Sequence, residues 1–345
     1  MIRMAVMAAV AGLVGCTTAA QPITDNVKED EIVSWDVAPV ECHGALQVAN
    51  GRVVDAKGGP FSVVGPSWFW STSGWGQEKV YNADAVRWVA EDWQSGLVRA
   101  AISGHEGGGY VDDSAGNMAR ARAIIDAAIE EGLYVIVDWH SHHAEDNVAE
   151  AKAFFTEIAT DYGQYPNVIY EIYNEPLDTT DWDSVIRPYA DEMVAHIRAI
   201  DPDNLILVGT QSWSQRLDKA VENPVTGFDN VAYTLHFYAT SHKDDLRKVA
   251  REAMDAGLPV LVSEWGGMDY SGDGKLDPQS IQAWADLFTE YGLSAATWSI
   301  SDKDESASAL RPGTNPNGGW KRRDLTPWGN LVRDMNRAWP KACAG

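Results

Sequence analysis

Basic residues are scarce in this chain: 27 Lys and Arg stand against 50 Asp and Glu in 345 residues, a formal charge of −23. A surface that acidic repels a phosphate backbone, so no nucleic-acid partner is expected. Cysteine is scarcer still, with three residues at positions 16, 42 and 343. No apolar run reaches the roughly 20 residues that would span a bilayer. Several motifs are missing as well. No G-x-G-x-x-G follows the first β-rich run, and no Lys-Ser/Thr follows Gly107-Gly108-Gly109, which argues against nucleotide and phosphate loops. There is neither an H-E-x-x-H zinc pair nor a G-x-S-x-G elbow, so no metal or cofactor is expected to carry the chemistry. What the chain does have is apolar and aromatic material. It is 45% hydrophobic with 15 Trp, enough for one large core and unlike a disordered chain. Trp presents a flat apolar face with one N–H donor, which suits a sugar ring, and a neutral polysaccharide meets an acidic surface without electrostatic cost.

Residues 1–15 read as an export signal, with Arg3 as the positive start and apolar or small residues from Met4 to Val14. The run Leu13-Val14-Gly15-Cys16 resembles the bacterial lipobox. It implies cleavage before Cys16 and a lipid on its thiol, where buried CH₂ groups contribute about 0.8 kcal/mol each. The alternative is an ordinary secretory cut near Ala19 or Ala20. Contact with a membrane is expected only through that anchor, at the outer membrane or cell surface, the other options being secreted or periplasmic. Residues 16–41 carry Thr, Pro, Asp and Glu without periodicity and read as an acidic, flexible tether. Cys42 and Cys343 bracket the folded region 42–345. Export permits a disulfide between them, which requires the two ends to lie side by side; two free thiols are the alternative.

From there, short β-rich runs alternate with amphipathic helical patterns. The strand candidates are residues 61–65, 97–102, 134–138, 168–173, 205–209, 231–236, 260–264 and 295–299. They are nearly continuous in apolar residues, as strands buried on both faces of a parallel sheet are. Helical patterns cover residues 84–93, 117–131, 149–162, 186–200, 244–256 and 278–291, with Gly132, Gly257 and Gly292 as stops. Eight β–α units in about 280 residues is the count of a single (β/α)₈ barrel, here with a short N-terminal β extension. A single barrel without repeat or coiled coil is expected to be a monomer.

A barrel gathers its chemistry at the C-terminal ends of its strands. Those ends supply Arg99, Asp138 with His140, Asn174 with Glu175, His236 with Tyr238, Glu264, and Trp298. Glu175 and Glu264 follow the fourth and seventh strands, across the mouth. Two carboxylates facing one bond are the minimum for hydrolysing an acetal. His140-Ser141-His142-His143 lacks a one-face ligand spacing, and residues 269–280 match only half of a calcium loop.

The run Tyr170-Glu171-Ile172-Tyr173-Asn174-Glu175-Pro176 resembles the signature of glycoside hydrolase family 5, and Val262-Ser263-Glu264-Trp265-Gly266 is similar to that family's nucleophile segment. Val98-Arg99-Ala100-Ala101, Asp138-Trp139-His140, residues 209–215, Leu235-His236-Phe237-Tyr238 and residues 297–307 match in the same order, nearest to the bacterial endoglucanase branch. The resemblance implies a retaining endo-β-1,4-glucanase acting on β-glucan, with Glu175 as acid/base and Glu264 as nucleophile. Arg99 and Tyr238 would keep Glu264 ionised, Asn174 would meet the sugar 2-hydroxyl, and His140 and His236 would bind hydroxyls or polarise the glutamates. Trp298 would floor the cleaved sugar, with Trp213, Trp70, Trp75, Lys303 and Glu305 as further substrate contacts. β-Mannanase or xyloglucanase activity, or a non-catalytic glycan-binding lipoprotein, are the alternatives on the same barrel. The chain departs from the family pattern at Trp68-Phe69-Trp70 and at Gly267-Met268-Asp269-Tyr270.

Overall fold

A computed structural model describes residues 34–341 and Cys343; the export signal, Cys16 and most of the expected tether lie outside the described residues. Eight parallel strands close on themselves: β1 (Val64–Trp68), β2 (Leu97–Ser103), β3 (Tyr134–His140), β4 (Val168–Glu171), β5 (Ile206–Val208), β6 (Val231–Tyr238), β7 (Val260–Gly266) and β8 (Ala295–Ile300), with β8 pairing back to β1. The helices α1 (Ala83–Glu91), α2 (Ser114–Glu130), α3 (Val148–Tyr162), α4 (Arg187–Arg198), α5 (Leu217–Glu222), α6 (Asp244–Asp255), α7 (Pro278–Tyr291) and α8 (Pro327–Ala338) follow the strands in turn. This is a (β/α)₈ barrel. The β extension is an antiparallel ribbon of Gln47–Ala49 with Arg52–Val54. Four helices open on a side-chain cap. Asn82, Asp113, Asp277 and Thr326 accept from Ala85, Gly116, Ser280 and Gly329 backbone N–H groups, each cap typically worth about 1 kcal/mol.

Period-two alternation builds the barrel interior in layers. At the N-terminal end Leu97, Ile136, Ile169, Ala232, Leu261 and Ala296 form an apolar plug with Phe61 and Val63. Two residues further along each strand the same inward face carries Arg99, Asp138, Glu171, Thr234, Ser263 and Trp298, so the polar layer sits directly above the plug. Glu264 has the wrong parity for this face. One extra residue in β7 corrects it. Thr234 pairs with Leu261 but His236 pairs with Glu264, and on the other side Ala295 pairs with Val262 but Thr297 with Trp265. Both neighbours therefore register a β-bulge at Val262–Glu264, and a bulge of this kind re-aims a side chain.

The first strand lies three residues later than the pattern suggests. Gly65-Pro66 reads locally as punctuation, yet both residues are inside β1, where a Cβ on Gly65 would meet the Leu97 carbonyl oxygen at 1.7 Å. Strand β4 ends at Glu171, so Asn174 and Glu175 stand on the loop that follows it. Helices α5 and α8 escape the periodicity reading, and a π-turn, Trp182–Ile186, leads into α4. Within residues 34–41, grouped with the tether by composition, Pro39 is buried and Trp35 is held against the barrel. Trp35 donates from its backbone N and its Nε1 to Gln94, both at 3.2 Å, and Pro39–His43 forms a helical turn. Cys42 and Cys343 are joined in a disulfide with Cα atoms 5.1 Å apart.

Candidate active site

Arg99 is the hub of the polar layer. It is fully buried, and its Nε donates to Glu171 Oε2 at 2.7 Å, Nη1 to Glu264 Oε2 at 3.0 Å and Nη2 to Asn174 Oδ1 at 2.7 Å. Nη2 also lies 2.9 Å from Asp138 Oδ2. Burial alone would weaken its hold on a proton, but Asp138, Glu171 and Glu264 outweigh that and keep it above its usual range. Asp138 meets His140 Nδ1 at 2.6 Å. Burial pushes the proton affinity of Asp138 well up, with Arg99 opposing the rise, and that of His140 well down.

Two buried chains of contacts lead from this hub to the two mouth carboxylates. Glu264 accepts from Tyr238 Oη at 2.9 Å as well as from Arg99. Burial and then the Glu175 charge raise its proton affinity, while His236, Arg99 and the Tyr238 hydrogen bond oppose the rise. Glu175 Oε1 lies 3.0 Å from His236 Nδ1, and the other ring nitrogen lies 2.8 Å from Ser263 Oγ. Burial would lower His236, but hydrogen bonds to Glu171 and Glu175 and the nearby charges push it up to about 9. Oxygens of Glu175 and Glu264 and a nitrogen of His236 all fall within 4.8 Å of one another. Among the described residues this is also the one group of three such side chains close enough to share a cation. The acidic side chains of the 269–280 loop turn to separate partners: Asp269 to Ser241, Asp273 to the Ser306 N–H and Asp277 to the α7 cap.

Above the pair opens a cleft of about 320 Å³ walled by Trp70, Trp75, His140, Glu175, Tyr238, Glu264, Trp298, Lys303 and Glu305. Trp298 stacks on His140 with planes 4° apart, and Trp70 meets the same imidazole edge-on at 4.0 Å. Lys303 bridges to Glu305 and lies 5.4 Å over the Phe69 ring. Trp213 stands apart. Three successive residues, Ser212 to Ser214, have φ between 54° and 58°, and the turn presents Trp213 to solvent at 40% exposure, outside these walls. The sequence reading missed Glu171, Ser263 and Tyr270. The first two were signalled by parity with Ile169 and Leu261; Tyr270, on the cleft wall and 71% exposed, had no positional signal.

The model of the cellulase family, glycosyl hydrolase family 5, matches residues 54–304. Endoglucanase Z of Dickeya dadantii is 45% identical over 84% of this chain, and endoglucanase A of Evansella cellulosilytica is 44% identical over 74%. The chain spans 66% and 53% of their lengths. Among solved structures, one from Cytophaga hutchinsonii overlays with a TM-score of 0.84 at 42% identity, covering 87% of this chain and 97% of that one. The catalytic domain of Thermobifida fusca endoglucanase Cel5A overlays at 0.82 with 34% identity, covering 87% and 99%; a variant of that domain in complex with cellotetraose overlays at 0.81.

Proposed function

The chain belongs to glycosyl hydrolase family 5, and on that premise we propose that it is a retaining endo-β-1,4-glucanase acting on cellulose chains or mixed-linkage β-glucan. The observation that carries the reading is the approach of Glu175 and Glu264 oxygens to within 4.8 Å. Retaining glycosidases hold their carboxyl groups about 5–5.5 Å apart, whereas inverting enzymes leave about 6.5–9.5 Å for a water. The cellotetraose complex of the Thermobifida domain, together with the endoglucanase relatives, supports a glucan as substrate.

In this reading Glu264 attacks the anomeric carbon as a carboxylate. Arg99 and Tyr238 stabilise its charge, and both donors are in place before substrate arrives. Glu175 gives a proton to the leaving oxygen and then takes one from the water that releases the glycosyl group. Asn174 Nδ2 is buried without a hydrogen-bond partner in the protein, and in this reading the sugar 2-hydroxyl would accept from it. Trp298, held flat by His140, would floor the cleaved residue. The anchor expected at Cys16 belongs to the same proposal. Incorporation of labelled fatty acid into the full chain but not into Cys16→Ser supports it; labelling of both removes it.

Product analysis is the test. Carboxymethylcellulose, barley β-glucan, mannan and xyloglucan are presented to the enzyme, viscosity and reducing ends are followed, and the anomer first released is read by proton NMR. Rapid viscosity loss on the glucans with β-anomer released first is the expected result. α-Anomer first would overturn retention, and activity confined to mannan or xyloglucan would overturn the substrate.

A further inference from the structure

Asp302 stands one residue before Lys303. It is not among the residues that wall the cleft, yet it is 7% exposed and both of its oxygens are bound. Gln77 Nε2 donates to Oδ1 at 3.0 Å, and the Asp302 backbone N–H donates back to Gln77 Oε1 at 3.0 Å, so the two residues close a ring. Lys79 Nζ lies 2.7 Å from each carboxylate oxygen, and the Gly313 N–H donates to Oδ2 at 3.0 Å. Burial alone would raise the proton affinity of Asp302, but Lys79, Gln77 and Gly313 outweigh it and hold the carboxyl below its ordinary range. The anion is therefore the form that meets these donors, and charge-assisted bonds of this kind are the strong ones.

These partners belong to two walls of the cleft. Gln77 and Lys79 lie on the loop after β1, which also carries Trp70 and Trp75, whereas Asp302 opens the loop after β8, which carries Lys303 and Glu305. Trp75 depends on such a tie. It is 47% exposed and sits between Gly74 at φ 86° and Gly76 at φ 78°, and a Cβ on either glycine would meet nothing within 4 Å. The backbone on both sides of the ring is thus free to turn and is not packed. Gln77 is the next residue, so its ring with Asp302 is the point where that turn becomes fixed. A wall that is ordered before the glycan arrives spares the cost of ordering it on binding. We propose that Asp302 is a positioning residue for the glycan chain: with Gln77 and Lys79 it staples the Trp75 turn to the loop bearing Lys303 and Glu305 and so sets the width of the cleft between them. It acts on substrate binding and takes no part in bond cleavage. The proposal rests on the cleft being the glucan site.

The test compares wild type, Asp302→Asn, Asp302→Ala and Lys79→Met in two measurements: kcat and KM on cellohexaose, and backbone hydrogen exchange of residues 73–79 in the free enzyme. Asp302→Asn keeps the shape and an acceptor for Gln77, but it removes the charge that Lys79 meets and the acceptor for Gly313. The loss should fall on KM rather than on kcat, with KM rising about 10-fold, the size of one charge-assisted hydrogen bond. Exchange at 73–79 should quicken by a similar factor, because the turn opens more often. Asp302→Ala should go further in the same direction. Lys79→Met, which removes a side chain 43% exposed, should raise KM and exchange by about 2- to 5-fold, as a partly exposed ion pair does. An Asp302→Asn protein with lower kcat and unmoved KM, or with exchange at 73–79 equal to wild type, would overturn the proposal. If neither Asp302 variant folds, Lys79→Met decides, with unmoved KM and unmoved exchange counting against the staple. A wild type that cleaves no cellohexaose would defeat the functional reading instead, and the exchange would still decide the staple.

Discussion

Removing the hydroxyl of Tyr238 tests how the proposed nucleophile is kept ionised. Tyr238 Oη donates to Glu264 Oε1 at 2.9 Å, while Arg99 Nη1 serves the other oxygen at 3.0 Å. Tyr238→Phe therefore strips one of two donors and leaves the guanidinium in place. A hydrogen bond to a charged group contributes about 1.5–3 kcal/mol, and one pKa unit corresponds to about 1.4 kcal/mol. The proton affinity of Glu264 should rise by about 1–2 units, on top of the rise that burial and the Glu175 charge already impose. The sign follows from the working form. Glu264 acts ionised, so a higher pKa means activity is lost earlier as pH falls, and the acid limb of kcat/KM moves up by about 1–2 pH units. The assay is the pH profile on a soluble glucan, with fluoroglycoside labelling of Glu264 followed over the same range. On the plateau the loss should be smaller than on the limb, because the attacking carboxylate needs less stabilisation as its charge passes to the new bond. A uniform fall in kcat/KM with the acid limb unmoved would refute the reasoning and place the hydroxyl on the substrate.

Two further outcomes follow from the same structure. Cys42→Ser opens a loop closed across 301 positions, for which chain entropy sets a ceiling of about 5–6 kcal/mol. Its urea midpoint should fall while kcat holds, because the bond lies by the plug end of the barrel, and an unchanged midpoint removes the stabilising role. Tyr270→Ala should cost about 3- to 10-fold in kcat/KM on cellohexaose, the size of one ring-stacking contact, and nothing on a short aryl cellobioside; equal losses on both would assign Tyr270 to the reaction centre rather than to a distant sugar.

How far the site can be read from the chain depends on whether each feature belongs to one strand or to several. Arg99, Asp138, His140 and His236 were legible because each lies two or four residues beyond an apolar residue of the plug on its own strand. Glu171 and Ser263 obey the same rule beyond Ile169 and Leu261, so their inward direction was available too, hidden inside motifs whose neighbouring glutamates drew the attention. Glu264 could not be read that way. A regular strand can aim Ser263 or Glu264 into the mouth but not both, and the site uses both. The conflict is resolved by the bulge in β7, seen only as a register change against β6 and β8. It is a property of three strands together and leaves no mark in seven residues of sequence. The same reasoning explains Trp213, whose outward turn depends on three left-handed residues packed beside the loop after β4, where its backbone N–H donates to the Pro176 carbonyl at 2.8 Å. It also explains β1, where local Gly-Pro punctuation yields to pairing on both sides. One consequence follows for mutagenesis. The bulge lets Ser263 reach Glu171 and His236 while the adjacent Glu264 faces Arg99 and Tyr238, so deleting one residue at Val262–Ser263 should separate the two carboxylate networks even if the barrel still closes.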